Sequence, residues 1–125
     1  MAPAVHLTCH HTDGPLALAA VTGDIDFDTA PSLRDRALNL LAQGHHHLIL
    51  DVADVSFCDS SGLNALIGIM RCAQEQGGTL SLAAVPDRLL HLLQMTGLDT
   101  VLPTHPTATE ALTAHQAQQH NPATA

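Results

Sequence analysis

Two adjacent serines, Ser60 and Ser61, stand between an aspartate and a glycine in the segment VSFCDSSGL at residues 55–63. An apolar run at residues 48–52 precedes this segment, and apolar residues at helical spacing follow it. The serines are therefore predicted to lie where a strand ends and a helix begins, a place where open α/β sheets position functional groups. Hydroxyls at such a turn can cap the helix, act as nucleophiles or accept a phosphate.

Helix capping is the simplest interpretation of this turn. A serine at an N-cap accepts a hydrogen bond from a backbone N–H of the first helical turn, and Asp59 suits the positive end of the helix dipole. Gly62 would then allow the helix to approach the sheet closely. In this interpretation Ser60 or Ser61 contributes to folding only.

Nucleophilic catalysis is poorly supported by the surrounding residues. A serine nucleophile requires a base, usually histidine, and a third group that orients the base. The G-x-S-x-G elbow is absent, and the histidines are concentrated in predicted loops and tails. The turn also has a single glycine and no lysine, unlike a phosphate-binding P-loop. A small serine-dependent hydrolase or transferase is therefore the disfavoured alternative.

Phosphorylation is the third interpretation of the turn. A phosphate on Ser60 would add roughly −1.5 to −2 charges beside Asp59. The helix N-terminus would stabilise that charge locally. A partner that binds there would meet a new repulsion and a desolvation cost, so binding can be lost without any change of fold. A cap and a phosphorylation site can coexist.

The elements that position the turn are predicted from periodicity and from turn residues. Residues 5–11 and 16–22 form a hairpin around the turn at residues 13–15, and an acidic loop follows at residues 23–28. Thr29 is predicted to cap the first helix, which Gly44 ends. The strand at residues 48–52 leads to a second helix that starts at Ser60 or Ser61.

The second half of the sequence repeats this alternation. A strand at residues 79–85 is followed by a helix that Pro86 opens and Gly97 ends. Residues 98–102 are predicted to form a short edge strand. Thr107 and Glu110 have the spacing of a capping box for a last helix through about His115.

The resulting order, ββαβαβαβα, predicts an α/β fold with a mixed central sheet and right-handed crossovers. We expect about four or five strands and about four helices in a single domain over residues 1–115. Residues 116–125 are polar and are predicted to form a flexible C-terminal tail.

Composition excludes several classes of function. The formal net charge is −8, which argues against a nucleic-acid-binding protein. The sequence has no apolar run long enough to span a membrane and no signal peptide, so we expect a cytoplasmic protein without membrane insertion. Three cysteines without CxxC spacing are typical of reduced thiols.

Two groups of residues invite a metal or thiol interpretation. The consecutive histidines at residues 45–47 would point apart in a loop, whereas zinc ligands are usually separated along the chain. We therefore predict no metal site. Cys58 precedes Asp59, whose charge should raise the pKa of the thiol, so Cys58 is interpreted as structural.

Three ordered segments resemble those of the STAS-domain anti-sigma factor antagonists of bacteria. The sequence reads GDID at residues 23–26, followed by TA at 29–30, FCDSSGL at residues 57–63 and TGL at residues 96–98. The resemblance spans about residues 5–115, and its central segment is the most specific. One departure is Asn64, where many members carry glycine.

The resemblance implies a binding protein that is not an enzyme and needs no cofactor. Members bind an anti-sigma factor, commonly a serine kinase, and so release a sigma factor by partner switching. The kinase phosphorylates the first serine of the motif, which is Ser60 here with Ser61 as the second candidate, and a serine phosphatase reverses this. The implied partner-binding residues are Asp26, Asp59, Ser60, Ser61, Gly62, Leu63 and Asn64.

One alternative within binding proteins stays open. A STAS subunit attached to a transporter ATPase would have the same fold and would require no phosphorylation. The sequence does not identify the anti-sigma factor, its sigma factor or the upstream signal.

Overall fold

The computed structural model describes residues 5–119, in which the order of elements agrees with the prediction. The five strands are β1 (His6–Asp13), β2 (Leu16–Ile25), β3 (His47–Cys58), β4 (Thr79–Ala83) and β5 (Thr104–His105). The four helices are α1 (Ala30–Ala42), α2 (Ser60–Glu75), α3 (Asp87–Thr96) and α4 (Ala108–Gln119). The predicted α/β fold with a mixed sheet is confirmed.

The sheet has the strand order β1-β2-β3-β4-β5. β1 pairs with β2 in antiparallel orientation, and every other neighbouring pair is parallel. Parallel neighbours bring the carboxyl ends of β2 and β3 to the same edge of the sheet. The turn that contains Ser60 therefore lies beside the loop that follows β2.

Buried apolar residues cover both faces of the sheet, but one face carries many more of them than the other. Alternate residues of β2 point to opposite faces. Ala17, Ala19 and Val21 belong to the large aliphatic cluster that includes the buried residues of α1, α2 and α3. Leu16 and Leu18 belong to a small cluster on the other face, with Ala111 of α4. α4 is thus held by much less apolar surface than α1 or α2.

Two predicted boundaries are wrong. Residues 23–25, predicted as part of a loop, continue β2 because Gly23 and Asp24 pair in parallel with Val55 and Phe57 of β3. Both strands therefore extend further than their apolar runs. β4, in contrast, ends at Ala83 rather than at residue 85.

The predicted edge strand at residues 98–102 is also wrong. Gly97 ends α3 with a φ of 78°, and Leu98–Thr100 form a short 3₁₀ helix. The Leu98 carbonyl accepts hydrogen bonds from the backbone N–H of Val101 and Leu102, so it is used within the turn. The edge strand is β5, two residues after Leu102.

α4 begins as the capping box predicts, because the Thr107 hydroxyl accepts a hydrogen bond from the Glu110 backbone N–H at 3.1 Å. The helix runs to Gln119, which is four residues into the segment predicted as a tail. Residues 120–125 lie outside the described residues. No helix within residues 5–119 is long and apolar enough to cross a membrane.

A histidine pair connects α4 to the sheet. The rings of His47 on β3 and His115 on α4 have centroids 4.9 Å apart, and His47 Nδ1 lies 3.1 Å from the Thr79 hydroxyl. Burial lowers the pKa of both imidazoles below 6.5. His115 and His46 lower the pKa of His47 further, whereas Asp13 opposes the shift at His115.

Acidification is therefore expected to destabilise the docking of α4. A lowered pKa in the folded state means that the unfolded chain binds more protons as the pH falls below about 6.5. The stability contributed by the neutral imidazoles is present above that pH and is lost as the pH falls through the lowered pKa. Thermal melts at pH 7.5 and 5.5 should differ less for His47→Gln and His115→Gln than for the wild type. His91→Gln, on the exposed side of α3, is the control. If all three variants showed the same difference in melting temperature between the two pH values as the wild type, the expectation would be contradicted.

Candidate functional site

The N-terminus of α2 is capped by an aspartate, not by a serine. Asp59 has extended backbone dihedral angles, and its Oδ1 accepts hydrogen bonds from the backbone N–H of Ser61 at 2.9 Å and of Gly62 at 3.2 Å. The prediction of a serine cap is therefore wrong. Because Asp59 satisfies these two donors, neither serine hydroxyl is needed to begin the helix.

Ser60 is the first residue of α2 and is exposed, whereas Ser61 is half-buried and faces a groove against α1. Asn64, one helical turn further, is exposed and lines the same groove. The structure thus separates the two serines that the sequence places side by side. Ser60 is the hydroxyl that a protein in solution can reach more readily.

Gly62 and Leu63 position the turn from inside the domain. A Cβ atom at Gly62 would lie 2.6 Å from Cys58 Sγ and 2.8 Å from Ile25 Cγ2, so only glycine allows α2 to begin this close to β2 and β3. Leu63 is buried in the core. Gly62 has no side chain and that of Leu63 points inward, so only the other residues of the predicted partner surface can offer side chains to a partner.

Asp26 organises the neighbouring loop in a similar way. Its Oδ1 accepts hydrogen bonds from the backbone N–H of Asp28 at 2.9 Å and of Thr29 at 3.0 Å. The buried Thr29 hydroxyl donates to the Asp24 carbonyl at 2.7 Å and accepts from the Asp26 backbone N–H at 2.9 Å. Thr29 itself makes no side-chain cap on α1, so that prediction is wrong.

The two acidic turns lie against each other. The Asp59 backbone N–H donates a hydrogen bond to the Ile25 carbonyl at 3.2 Å, directly before Asp26. Asp26 and Asp59 are thus held at the carboxyl ends of adjacent parallel strands. Each carboxylate has one oxygen engaged by backbone donors in its own turn.

The exposure of two aromatic side chains at this edge of the sheet was not predicted from the sequence. Phe27 follows Asp26 and is 78% exposed, and Phe57 precedes the serine turn and is 44% exposed. Phe27 lines a groove of about 340 Å³ between α1 and α2, together with Ser61 and Asn64. Their rarity was the available signal, since the chain has two phenylalanines and no tryptophan or tyrosine.

Cys58 lies beneath the turn and is buried. Burial raises the pKa of its thiol to about 11, and the charge of Asp59 contributes to the same shift. The direction agrees with the sequence analysis, although burial has the larger effect. A thiol with this pKa is almost entirely protonated near neutral pH, which is consistent with a structural role.

The consecutive histidines are oriented apart. His45 Nδ1 lies 2.8 Å from the Gly14 carbonyl, whereas His47 faces Thr79 and His115. Within residues 5–119, no three histidine, cysteine, aspartate or glutamate side chains are grouped so that they could hold a metal ion.

Comparison with known proteins assigns the family. The STAS domain family matches residues 7–111, which run from β1 into the start of α4. The chain belongs to this family. Over 82 residues it is 37% identical to the anti-sigma-B factor antagonist of Bacillus subtilis. The aligned segment covers 66% of this chain and 74% of that protein.

Solved structures agree with this assignment. An anti-sigma factor antagonist from Mycobacterium paratuberculosis is similar with a TM-score of 0.78 and 29% identity, over 88% of this chain and 92% of that chain. A sulfate transporter family protein from Wolinella succinogenes has a TM-score of 0.74 at 20% identity, over 90% of this chain and 93% of that chain. The second similarity concerns the fold alone.

Proposed function

We propose that this protein is a phospho-regulated anti-sigma factor antagonist of the bacterial cytoplasm. In its unphosphorylated form it binds an anti-sigma factor of the serine kinase type, and a sigma factor is released. The kinase phosphorylates Ser60, and a serine phosphatase removes the phosphate. The observation that supports this most directly is the exposed Ser60 hydroxyl, which Asp59 leaves free of any capping role.

The geometry supports a switch that does not require refolding. A phosphate on Ser60 would lie in the first turn of α2, where the helix dipole favours negative charge. It would also lie beside Asp59 and near Asp26, on a protein with a formal net charge of −8. A partner that approaches this surface would have to desolvate the added charge, so affinity would fall while the fold is kept.

Phosphate mapping tests the proposed acceptor. The protein is incubated with ATP and, one at a time, with the purified serine-kinase anti-sigma factors of its source organism, and phosphopeptides are identified by mass. We expect modification of Ser60 and none after Ser60→Ala, while Ser61→Ala is still modified. Phosphate on Ser61 alone, or on neither serine, would refute the proposal.

The serine-dependent enzyme remains the alternative from a different class. We propose that the protein has no enzymatic activity, cofactor or metal requirement of its own and that ATP is bound by the kinase. Turnover of ester or phosphoester substrates that Ser60→Ala abolishes would contradict this.

The alternative of a transporter-associated STAS subunit makes a different prediction for the same serine. Such a subunit would bind its ATPase whether or not Ser60 is modified. The similarity to a named anti-sigma-B factor antagonist at 37% identity favours the proposed function, because the similarity to a transporter family protein is at 20% identity.

A further inference from the structure

Both aromatic residues of this protein lie outside its core. The chain contains two phenylalanines and no tryptophan or tyrosine, so the core is built from aliphatic side chains. Phe27 is 78% exposed and Phe57 is 44% exposed. A phenylalanine side chain that stays in water forgoes the favourable free energy of burial.

The two rings occupy one edge of the sheet. Phe57 is paired with Asp24 across β2 and β3, and Phe27 follows the paired residue Ile25 by two positions. Phe27 lies against α1 in the groove of about 340 Å³, and Ser61 also lines this groove. Phe57 borders a smaller cavity of about 30 Å³ against α3, and Cys58 and Leu92 also line this cavity. The rings therefore border the two sides of the edge that carries Ser60.

The segments next to the two rings are rich in carboxylates. The loop after β2 carries Asp24, Asp26 and Asp28, and Asp59 caps the adjacent helix. Arg34 lines the groove beside Phe27, and Arg88 lines the cavity beside Phe57. These segments thus carry two apolar rings and more carboxylates than arginines, which complements a surface with apolar pockets and a cationic rim.

We infer that Phe27 and Phe57 are the apolar anchors that hold the anti-sigma factor, whose contact surface carries apolar pockets rimmed by lysine or arginine. The inference rests on the proposed function and adds the residues that supply affinity. Phenylalanine is among the aromatic residues that are enriched in the buried cores of protein–protein interfaces. A phosphate on Ser60, three residues after Phe57, would have to be desolvated as the partner buries this edge, which connects the proposed switch to affinity.

The test compares matched apolar truncations. The probe is the purified serine-kinase anti-sigma factor that phosphorylates Ser60 in the mapping experiment. Its affinity is measured by calorimetry for Phe27→Ala, Phe57→Ala and two controls, Met95→Ala and Val101→Ala. The control residues are 70% and 54% exposed and lie at the end of α3 and after it. We expect each phenylalanine variant to bind at least tenfold more weakly and each control to stay within twofold of the wild type.

A kinetic readout separates docking from folding. Phe27→Ala should raise the KM for phosphorylation of Ser60 without lowering kcat, and its melting temperature should match that of the wild type because the ring is exposed. Raising the salt concentration should weaken binding by the wild type, since the complementary charges are screened.

The outcomes distinguish this inference from the proposed function. If the wild type binds and Ser60 is phosphorylated, but the phenylalanine variants bind as tightly as the controls, the anchors are refuted and the proposed function stands. Equal losses in the phenylalanine variants and the controls would also refute the anchors. If no serine-kinase anti-sigma factor binds the wild type, both are overturned.

Discussion

Ser60→Asp is expected to weaken binding of the anti-sigma factor at least tenfold, whereas Ser60→Ala should bind like the wild type and resist phosphorylation. The aspartate adds one carboxylate next to Asp59, on the acidic edge where the partner is proposed to dock. A tenfold loss corresponds to about 1.4 kcal/mol of binding free energy. Calorimetry or surface plasmon resonance with the purified partner measures the difference.

The structure makes this pair of variants informative because neither should disturb folding. Asp59 provides the side-chain cap of α2, so Ser60→Ala removes no cap hydrogen bond. Thr109→Asp is the matched control, since it places the same charge on an exposed residue in the first turn of α4. Equal affinities for Ser60→Asp and Ser60→Ala, or an equal loss in Thr109→Asp, would show that this surface is not the switch.

The order of elements could be predicted because each has its own periodicity and end signals. The boundaries that failed depend on contacts between segments. Residues 23–25 contain a glycine and an aspartate, which predict a loop, and only pairing with β3 makes them a strand. Residues 98–102 are apolar enough for a strand, but the turn that Gly97 begins satisfies their backbone groups locally.

The position of the serine turn at a strand-to-helix junction could also be predicted, but its internal arrangement could not. Asp59, Ser60 and Ser61 are all side chains that cap helices well, so composition does not decide among them. The backbone decides, because Asp59 is extended and Ser60 is already helical. The phase of α2 then exposes Ser60 and Asn64 and buries Leu63, which divides the predicted partner residues into surface and core.

The exposure of Phe57 has a structural reason that sequence alone does not contain. Strict alternation along β3 would place Phe57 on the same face as the buried Val55. The pairing of β2 and β3 is irregular there, since Gly23 is paired with Val55 but Asp24 with Phe57. This irregularity directs Val55 and Cys58 inward and leaves Phe57 at the surface.

Gly62→Ala is expected to destabilise the domain by about 1–3 kcal/mol, the usual cost of inserting a methyl group into a well-packed site. The new Cβ would lie 2.6 Å from Cys58 Sγ, 2.8 Å from Ile25 Cγ2 and 3.0 Å from the Ile25 carbonyl oxygen. The last of these is backbone, and it accepts the hydrogen bond from Asp59 that joins the two turns. α2 would therefore have to move away from the sheet.

Gly68→Ala is the matched control on the same helix. Its Cβ would meet only the Arg34 side chain, at 3.4 Å from Nε, and a flexible side chain can move aside. Alanine is favoured over glycine inside a helix by about 1 kcal/mol, so this control should be neutral or stabilising. Urea unfolding measures both variants. Because helix propensity does not disfavour alanine at Gly62, a net loss there reports the close approach of α2 to the sheet. Equal stability of the two variants would mean that Ser60 is not positioned by this contact.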